Sequence, residues 1–268
     1  MEHVHQFLYS QGFYLFGLEI KWYGFIMAMA MLVALANAFL ICKVKKYPMG
    51  MPLDLVIAAI PCAIVGARLY YCIFNGVSSF WEIFRVWEGG LAIYGGVIGG
   101  FLGIWLCCAI KKYSLAQACD IAAPCLILGQ AIGRIGCYFG GCCYGIEVVD
   151  PNLQWFPLSV QINGVWHYST FFYESFMDFI GYVVLMFIMR YTDGKGITTA
   201  SYLMFYGVVR AVIEGFRGDS LYLWGTGIRV SQLLSIILVM AGIAILVLAI
   251  LNKKGKLHFK KKGTEGQE

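Results

Sequence analysis

Three stretches of the chain, Trp22 to Cys42, Gly89 to Ile110 and Val230 to Leu251, carry no charged side chain at all. Each is as long as the roughly 20 helical residues needed to cross a hydrocarbon layer of about 30 Å. No soluble core needs uninterrupted apolar sequence of that length, and the overall balance agrees, with 60% of the 268 residues hydrophobic and 13% charged. Four further stretches, Leu55 to Asn75, Asp120 to Gly133, Phe171 to Met189 and Ile197 to Ile213, are apolar but carry or abut polar groups. Their expected place is the interior of the bundle. Backbone groups in lipid must be satisfied within the chain, and no run of alternating apolar and polar residues marks a barrel, so helices are expected. The fold class is all-α, a polytopic membrane bundle of about seven transmembrane helices. Residues 1–252 form a single integral membrane domain, and 253–268 form a basic tail.

Charge placement orients the bundle, because Lys and Arg collect in cytoplasmic loops. The first connection holds Lys43, Lys45 and Lys46, the third Lys111 and Lys112, and the fifth Arg190 and Lys195. The tail adds Lys253, Lys254, Lys256, Lys260, Lys261 and Lys262, so thirteen of the 20 basic residues share one face. The N-terminus is therefore expected outside and the C-terminus in the cytoplasm. Residues Met1 to Phe16 lack Lys and Arg and are followed by no small-residue cleavage pattern, which reads as a segment at the outer interface rather than a signal peptide. The net charge of +5 comes mainly from the tail and suits anionic inner-leaflet lipid, so nucleic acid is not an expected partner.

The remaining basic residues are Lys21, Arg68, Arg85, Arg134, Arg210, Arg217 and Arg229. Arginine offers a planar fork suited to two phosphate oxygens, and at membrane depth it costs several kcal/mol unless paired or wetted. Arg210, Glu214 and Arg217 follow one another at spacings of four and three, and continuous helix would put all three on one face. An ion pair there with a second arginine beside it suits an anion such as a phosphate. The glycines of Glu88 to Gly100 follow no strand and open no βαβ unit, which excludes a dinucleotide loop. Gly95, Gly99 and Gly103, four apart, instead predict close approach of a neighbouring helix. Tyr94 lies about one turn inside the membrane, where its hydroxyl needs a partner.

The most specific stretch is Gly133-Arg134-Ile135-Gly136-Cys137-Tyr138-Phe139-Gly140-Gly141-Cys142-Cys143-Tyr144-Gly145. It resembles the signature loop of bacterial phosphatidylglycerol:prolipoprotein diacylglyceryl transferases. Further pieces resemble that family in its order: Lys21 to Gly24, Gly66 to Leu69, Glu88 to Gly100, Phe172 to Ser175, Tyr206 to Arg210 with Glu214 and Arg217, and Ser231 to Ser235. The resemblance implies transfer of diacylglycerol from phosphatidylglycerol to the cysteine thiol of a preprolipoprotein signal peptide, with release of glycerol phosphate. It implies a multi-pass protein of the bacterial cytoplasmic membrane with its site facing the outer leaflet, and no metal or diffusible cofactor.

Under that resemblance the catalytic set is Tyr94, Arg210 and Glu214, with Glu214 orienting Arg210. Arg134, Tyr23, Arg68 and Arg217 bind substrate, and Cys137 and Cys142 join the set as loop residues of undecided role. This chain is a cysteine-rich, diverged member by the same standard, because relatives often carry histidine at Tyr94, asparagine at Cys137 and glutamate at Cys142. His167 is one position out of step with the family's histidine, and the loop from Ile146 to Trp166 is expected to cap the site. Three other readings stand beside the first. One is a same-fold phospholipid-dependent transferase with another acceptor, and another is a membrane thiol oxidoreductase working through Cys137 with Cys142 or Cys143. The third is a transporter of small anions. The absence of a C-x-x-C pair and of an internal repeat weighs against the last two.

Overall fold

The computed structural model describes residues 12–75, Trp81, 89–192, 195–218 and 229–253. Arg85 and Glu88, most of the amino-terminal segment and the tail beyond Lys253 lie outside the described residues. Seven helices are described: α1 (Trp22–Lys45), α2 (Met51–Asn75), α3 (Ile93–Lys111), α4 (Leu115–Phe139), α5 (Thr170–Tyr191), α6 (Ile197–Glu214) and α7 (Val230–Lys253). All but α6 are long and apolar enough to cross a membrane by length and composition. The shortest, α6, carries Arg210 and Glu214 in its final turns. The chain is a polytopic membrane helix bundle.

Each of the seven apolar stretches became a helix, but they do not share the interior equally. In α4 half of the most apolar window is buried, whereas in α2 the share is 17%, the same as in α7. The expectation that Leu55 to Asn75 lines the interior is corrected on this point. Helix α2 lies outside because it pairs with α3 as a hairpin, and the glycines set that pairing. A Cβ on Gly95 would fall on the Gly66 carbonyl, one on Gly99 on the Cys62 carbonyl, and one on Gly103 would stand 2.6 Å from the Ala58 carbonyl oxygen. In lipid no hydrophobic effect draws helices together, so contact of this kind has to come from small residues and dispersion.

One end of the bundle is fastened by polar contacts among the lysine-rich connections. Lys45 donates to the backbone carbonyls of Arg190 (3.2 Å) and Thr192 (2.6 Å), tying the end of α1 to the end of α5. Asp54 of α2 pairs with Lys111 at 3.2 Å and accepts from Tyr113 at 2.8 Å. Asp120, fully buried on α4, accepts from the backbone N–H groups of Gly196 and Thr199, both at 2.9 Å. A carboxylate at the start of α6 satisfies amides that have no intrahelical partner and meets the positive end of the helix dipole. Midway along the bundle, buried Asn37 accepts from Tyr182 at 3.0 Å, which joins α1 to α5.

The other end carries two β-hairpins, which the sequence patterns did not reveal. Strand β1 (Gly12–Leu15) pairs with β2 (Leu18–Lys21) immediately before α1. Strand β3 (Ser159–Ile162) pairs with β4 (Val165–Tyr168) within the loop between α4 and α5. Both turns are two residues long, with Gly17 and Gly164 at φ near +82° and +85°, as tight hairpins require.

The packing of α2 on α3 makes a pair of contrasting substitutions informative. Gly99→Ala, whose methyl would overlap the Cys62 carbonyl, is expected to destabilise by about 1–3 kcal/mol, read as a lower melting temperature in detergent. Gly100→Ala, where the nearest atom is 3.6 Å away, is expected to be neutral or to gain up to about 1 kcal/mol of helix propensity.

Candidate active site

At the end carrying the hairpins, three helices bring charged side chains to one buried carboxylate. Glu174, on the second turn of α5, is 1% exposed. Arg134 of α4 donates from Nη2 to Glu174 Oε1 at 2.5 Å, and Arg210 of α6 donates from Nη1 to Glu174 Oε2 at 3.2 Å. The other arm of Arg210 lies 3.0 Å from Glu214 Oε2, one helical turn on, in an ion pair whose N–H is not aligned as a hydrogen bond. Four charges thus alternate in sign across α4, α5 and α6. Pairing is what makes burial of such groups tolerable, and a planar guanidinium with five donors keeps capacity beyond the carboxylates it touches. Asp178, one turn beyond Glu174 on α5, is fully buried, and neither oxygen has a hydrogen-bond partner among the described residues.

Arg134 also reaches toward the signature loop, where its Nη1 stands 3.5 Å from Cys143 Sγ. The loop turns sharply after α4. The amide of Cys142 returns to the carbonyl of Cys137 at 3.1 Å, and Gly141 and Cys143 adopt φ of +57° and +59°. This turn folds Cys142 and Cys143 back over Cys137, so that the three sulfurs lie within 4.8 Å of one another, a grouping of the size that metal ions use. All ten cysteines are free thiols. Cys143 lies outside the spanning segments. A hydrogen bond from Cys137 and the nearby charges of Arg134 and Arg217 pull its thiol down to about 5, against the opposing effect of burial. Burial, followed by the charge of Cys143, pushes Cys142 up.

Arg217 is not on the helix with Arg210 and Glu214, which corrects the expectation of one shared face. Helix α6 ends at Glu214 and turns through Gly215 and Phe216 with short-range bonds to the carbonyls of Val212 and Ile213. Arg229 donates to the Glu214 backbone carbonyl, which closes the helix end. Arg217 then pairs as an isolated bridge with Gly145, the last residue of the signature loop. Gly145 has no room for a side chain, since a Cβ would stand 2.7 Å from the Phe216 carbonyl and 2.8 Å from Tyr168.

The other expected site residues divide between two places. Tyr23, near the start of α1, is 45% exposed and lies along Gly136 of α4 and Gly140 just beyond its end, in the signature loop. Arg68 and Tyr94 belong to the α2–α3 hairpin. Arg68 is buried and donates to the carbonyls of Gly89 (2.7 Å) and Gly90 (3.2 Å), with its guanidinium 5.6 Å from the Tyr71 ring centre. Tyr94 packs beside Tyr70, 6.2 Å between ring centres. His167 turns its Nδ1 to the Gly145 carbonyl at 3.1 Å and packs against Tyr144. Within Ile146 to Trp166, β3 and its approaches pack on the cysteine loop through Val160 and Ile162.

The prolipoprotein diacylglyceryl transferase family matches residues 11–248. The chain belongs to that family. A phosphatidylglycerol–prolipoprotein diacylglyceryl transferase of Clostridium perfringens is 38% identical over 246 residues, covering 89% of this chain and 93% of the relative. One from Clostridium botulinum strain Hall is 38% identical over 233 residues, covering 84% and 91%. One from Listeria welshimeri is 37% identical over 239 residues, covering 86% of each chain.

Glu174 is the residue that sequence reasoning left unassigned although it lies inside a quoted motif. Its signal was an acid within an apolar stretch that also held Asp178. Removing one partner of a buried ion pair leaves an uncompensated charge, at about 3–5 kcal/mol. Glu174→Ala is accordingly expected to lower the melting temperature more than Arg134→Ala, because it leaves Arg134 without its carboxylate, whereas in Arg134→Ala Glu174 keeps Arg210 and Arg210 keeps Glu214. At Cys143 the thiolate is the reactive form, and a lowered pKa keeps it populated down to about pH 5. In reduced, metal-free protein, its alkylation rate is expected to stay nearly flat between about pH 8 and pH 6. The rate at Cys142 should fall about tenfold per pH unit, as peptide mapping by mass spectrometry would read.

Proposed function

We propose that this protein transfers the diacylglyceryl group of phosphatidylglycerol to the cysteine thiol of prolipoproteins, releasing glycerol phosphate. The observation that carries the reading is the convergence of Arg134 and Arg210 on Glu174 at 2.5 and 3.2 Å, in a chain that family membership relates to enzymes of that name. In this reaction the acceptor sulfur attacks the glycerol carbon that bears the phosphate. A carbon–sulfur bond forms, the carbon–oxygen bond breaks, and the electron pair leaves on the phosphate oxygen.

Charge therefore develops on the leaving group, and donors aimed there stabilise the transition state more than the ground state. Arg134 and Arg210 fill that role, Glu174 and Glu214 hold both guanidinium groups in orientation, and Arg217 adds positive charge from the loop. Tyr23, at the exposed rim, holds the headgroup or the peptide. Arg68 supports the site by fixing the Gly89-Gly90 turn, and Tyr94 stands at the start of α3 near the same end. The acceptor is the cysteine of a signal-peptide lipobox.

The lysine-rich end faces the cytoplasm and the tail from 253 to 268 continues it, so the site opens toward the outer leaflet of the bacterial cytoplasmic membrane. Residues 1–252 form one membrane domain. The fastening of Lys45 to the end of α5 and of Asp120 to the start of α6 supports this orientation, because it gathers the basic connections at one end.

The test is turnover of glycerol-labelled phosphatidylglycerol with a lipobox peptide by the purified protein. Peptide lipidation and glycerol phosphate release are expected in equal amounts, with a fall of about 100-fold or more in Arg134→Ala. A folded protein that binds the phospholipid but lipidates no peptide would overturn the acceptor assignment.

A further inference from the structure

The reading above leaves one step without an agent, the loss of the acceptor thiol's proton. An ordinary thiol has a pKa near 8.5 and attacks only as the thiolate. Glu174 is held between two arginines, Glu214 is paired with Arg210, and Tyr94 packs on the other hairpin. What the site does contain is three thiols in one place.

We propose that Cys137, Cys142 and Cys143 hold a zinc ion whose fourth position takes the sulfur of the acceptor cysteine. The three sulfurs lie within 4.8 Å of one another. Zinc–thiolate bonds of about 2.3 Å in tetrahedral geometry set sulfurs roughly 3.8 Å apart, so the widest pair closes by about 1 Å at most. All three thiols are free, and a disulfide between any two would leave the third over, whereas one ion takes all three. The turn through Gly141 and Cys143 holds the second and third thiols over the first, with the Cys142 amide bonded to the Cys137 carbonyl.

One feature marks the site as one for reaction rather than for structure. Among the described residues no His, Asp or Glu joins the group, and three protein ligands with one open position is the pattern of catalytic zinc. Cys137 and Cys142 line a small cavity together with Tyr138, Gly141, Val160 and Phe171, with room for about one water. Three thiolates and one divalent ion carry a net negative charge, which Arg134 offsets from 3.5 Å as an N–H donor to Cys143.

The role of the ion rests on the transferase reading. A thiol coordinated to zinc is deprotonated outright, so the acceptor gives its proton to water as its sulfur takes the open position. The sulfur then forms its bond to the glycerol carbon, and the phosphate oxygen leaves with the electron pair toward Arg134 and Arg210. The thioether product is neutral and a weaker ligand than the thiolate, so it leaves the ion. Zinc keeps its oxidation state throughout.

Cobalt(II), a spectroscopic stand-in for zinc, tests the site in the full-length, reduced protein in detergent. A single equivalent is expected to bind with a thiolate-to-metal charge-transfer band and the visible bands of a tetrahedral centre. Binding should weaken at least tenfold in each of Cys137→Ser, Cys142→Ser and Cys143→Ser, and persist in Cys119→Ser. A lipobox peptide should shift the visible bands, while the same peptide with serine in place of its cysteine should not. Absence of the charge-transfer band in folded protein, or its survival in the triple serine variant, overturns the site. A band indifferent to the peptide thiol overturns the open position.

Lipidation measured in parallel separates this inference from the one it rests on. A fall of at least tenfold on chelation, restored by zinc, supports the role of the ion. Full lipidation by chelated protein overturns that role and leaves the transferase intact. Lipidation by neither form, with the cobalt spectrum present, overturns the transferase reading and leaves the metal site.

Discussion

The pairing of Glu174 with Arg134 and Arg210 is the contact on which the functional end of this protein depends. An isolated carboxylate at that depth would cost several kcal/mol, and so would either guanidinium alone. Together they fix three helices at one level, because one carboxylate accepts from both arginines, Arg134 at Oε1 and Arg210 across both oxygens. Ser175, the next residue on α5, adds a bond to the Ala131 carbonyl at 2.7 Å and holds α5 against α4 one turn away from Arg134. The orientation of Arg134 then places its second nitrogen beside Cys143, so the charge network and the cysteine loop share one residue.

The rest of the bundle serves to hold those helices without a hydrophobic driving force. Lipid tails are as apolar as leucine, so specificity comes from small residues and from polar contacts that water cannot compete for. The α2–α3 hairpin uses the first device at Gly95, Gly99 and Gly103. The opposite end uses the second, with Asp120 capping α6 and Lys45 closing the end of α5. Asp120 and Glu174 thereby stand at the two ends of the α4–α5–α6 group, one setting where α6 begins and the other where its arginine points.

Much of the fold was legible because a membrane imposes a local rule. A helix must supply about 20 apolar residues wherever it crosses, so the three charge-free stretches declared themselves without reference to any other, and the four weaker ones were legible as apolar runs broken by polar groups. The glycine spacing in α3 was legible for a similar reason, since close approach needs small residues at helical intervals. The two hairpins were not, because strands of four residues have too few positions for alternation to register. The exposed position of α2 was also hidden, since its polar and small residues serve a hairpin partner and read the same way as residues facing a bundle interior.

Within the site, the sequence by itself determined the membership: arginines too deep to be topological signals, an acid in an apolar stretch, and a loop dense in glycine and cysteine. Those are statements about what each residue costs to bury, and cost is a property of the residue. Only the tertiary structure decided the partners. Glu174 rather than Glu214 alone receives Arg210, Arg134 bridges to Cys143, Arg217 leaves the helix for Gly145, and Arg68 turns to the carbonyls of Gly89 and Gly90. Most of these pairs join residues far apart in the chain, and which of several equal charges meet depends on how the helices pack.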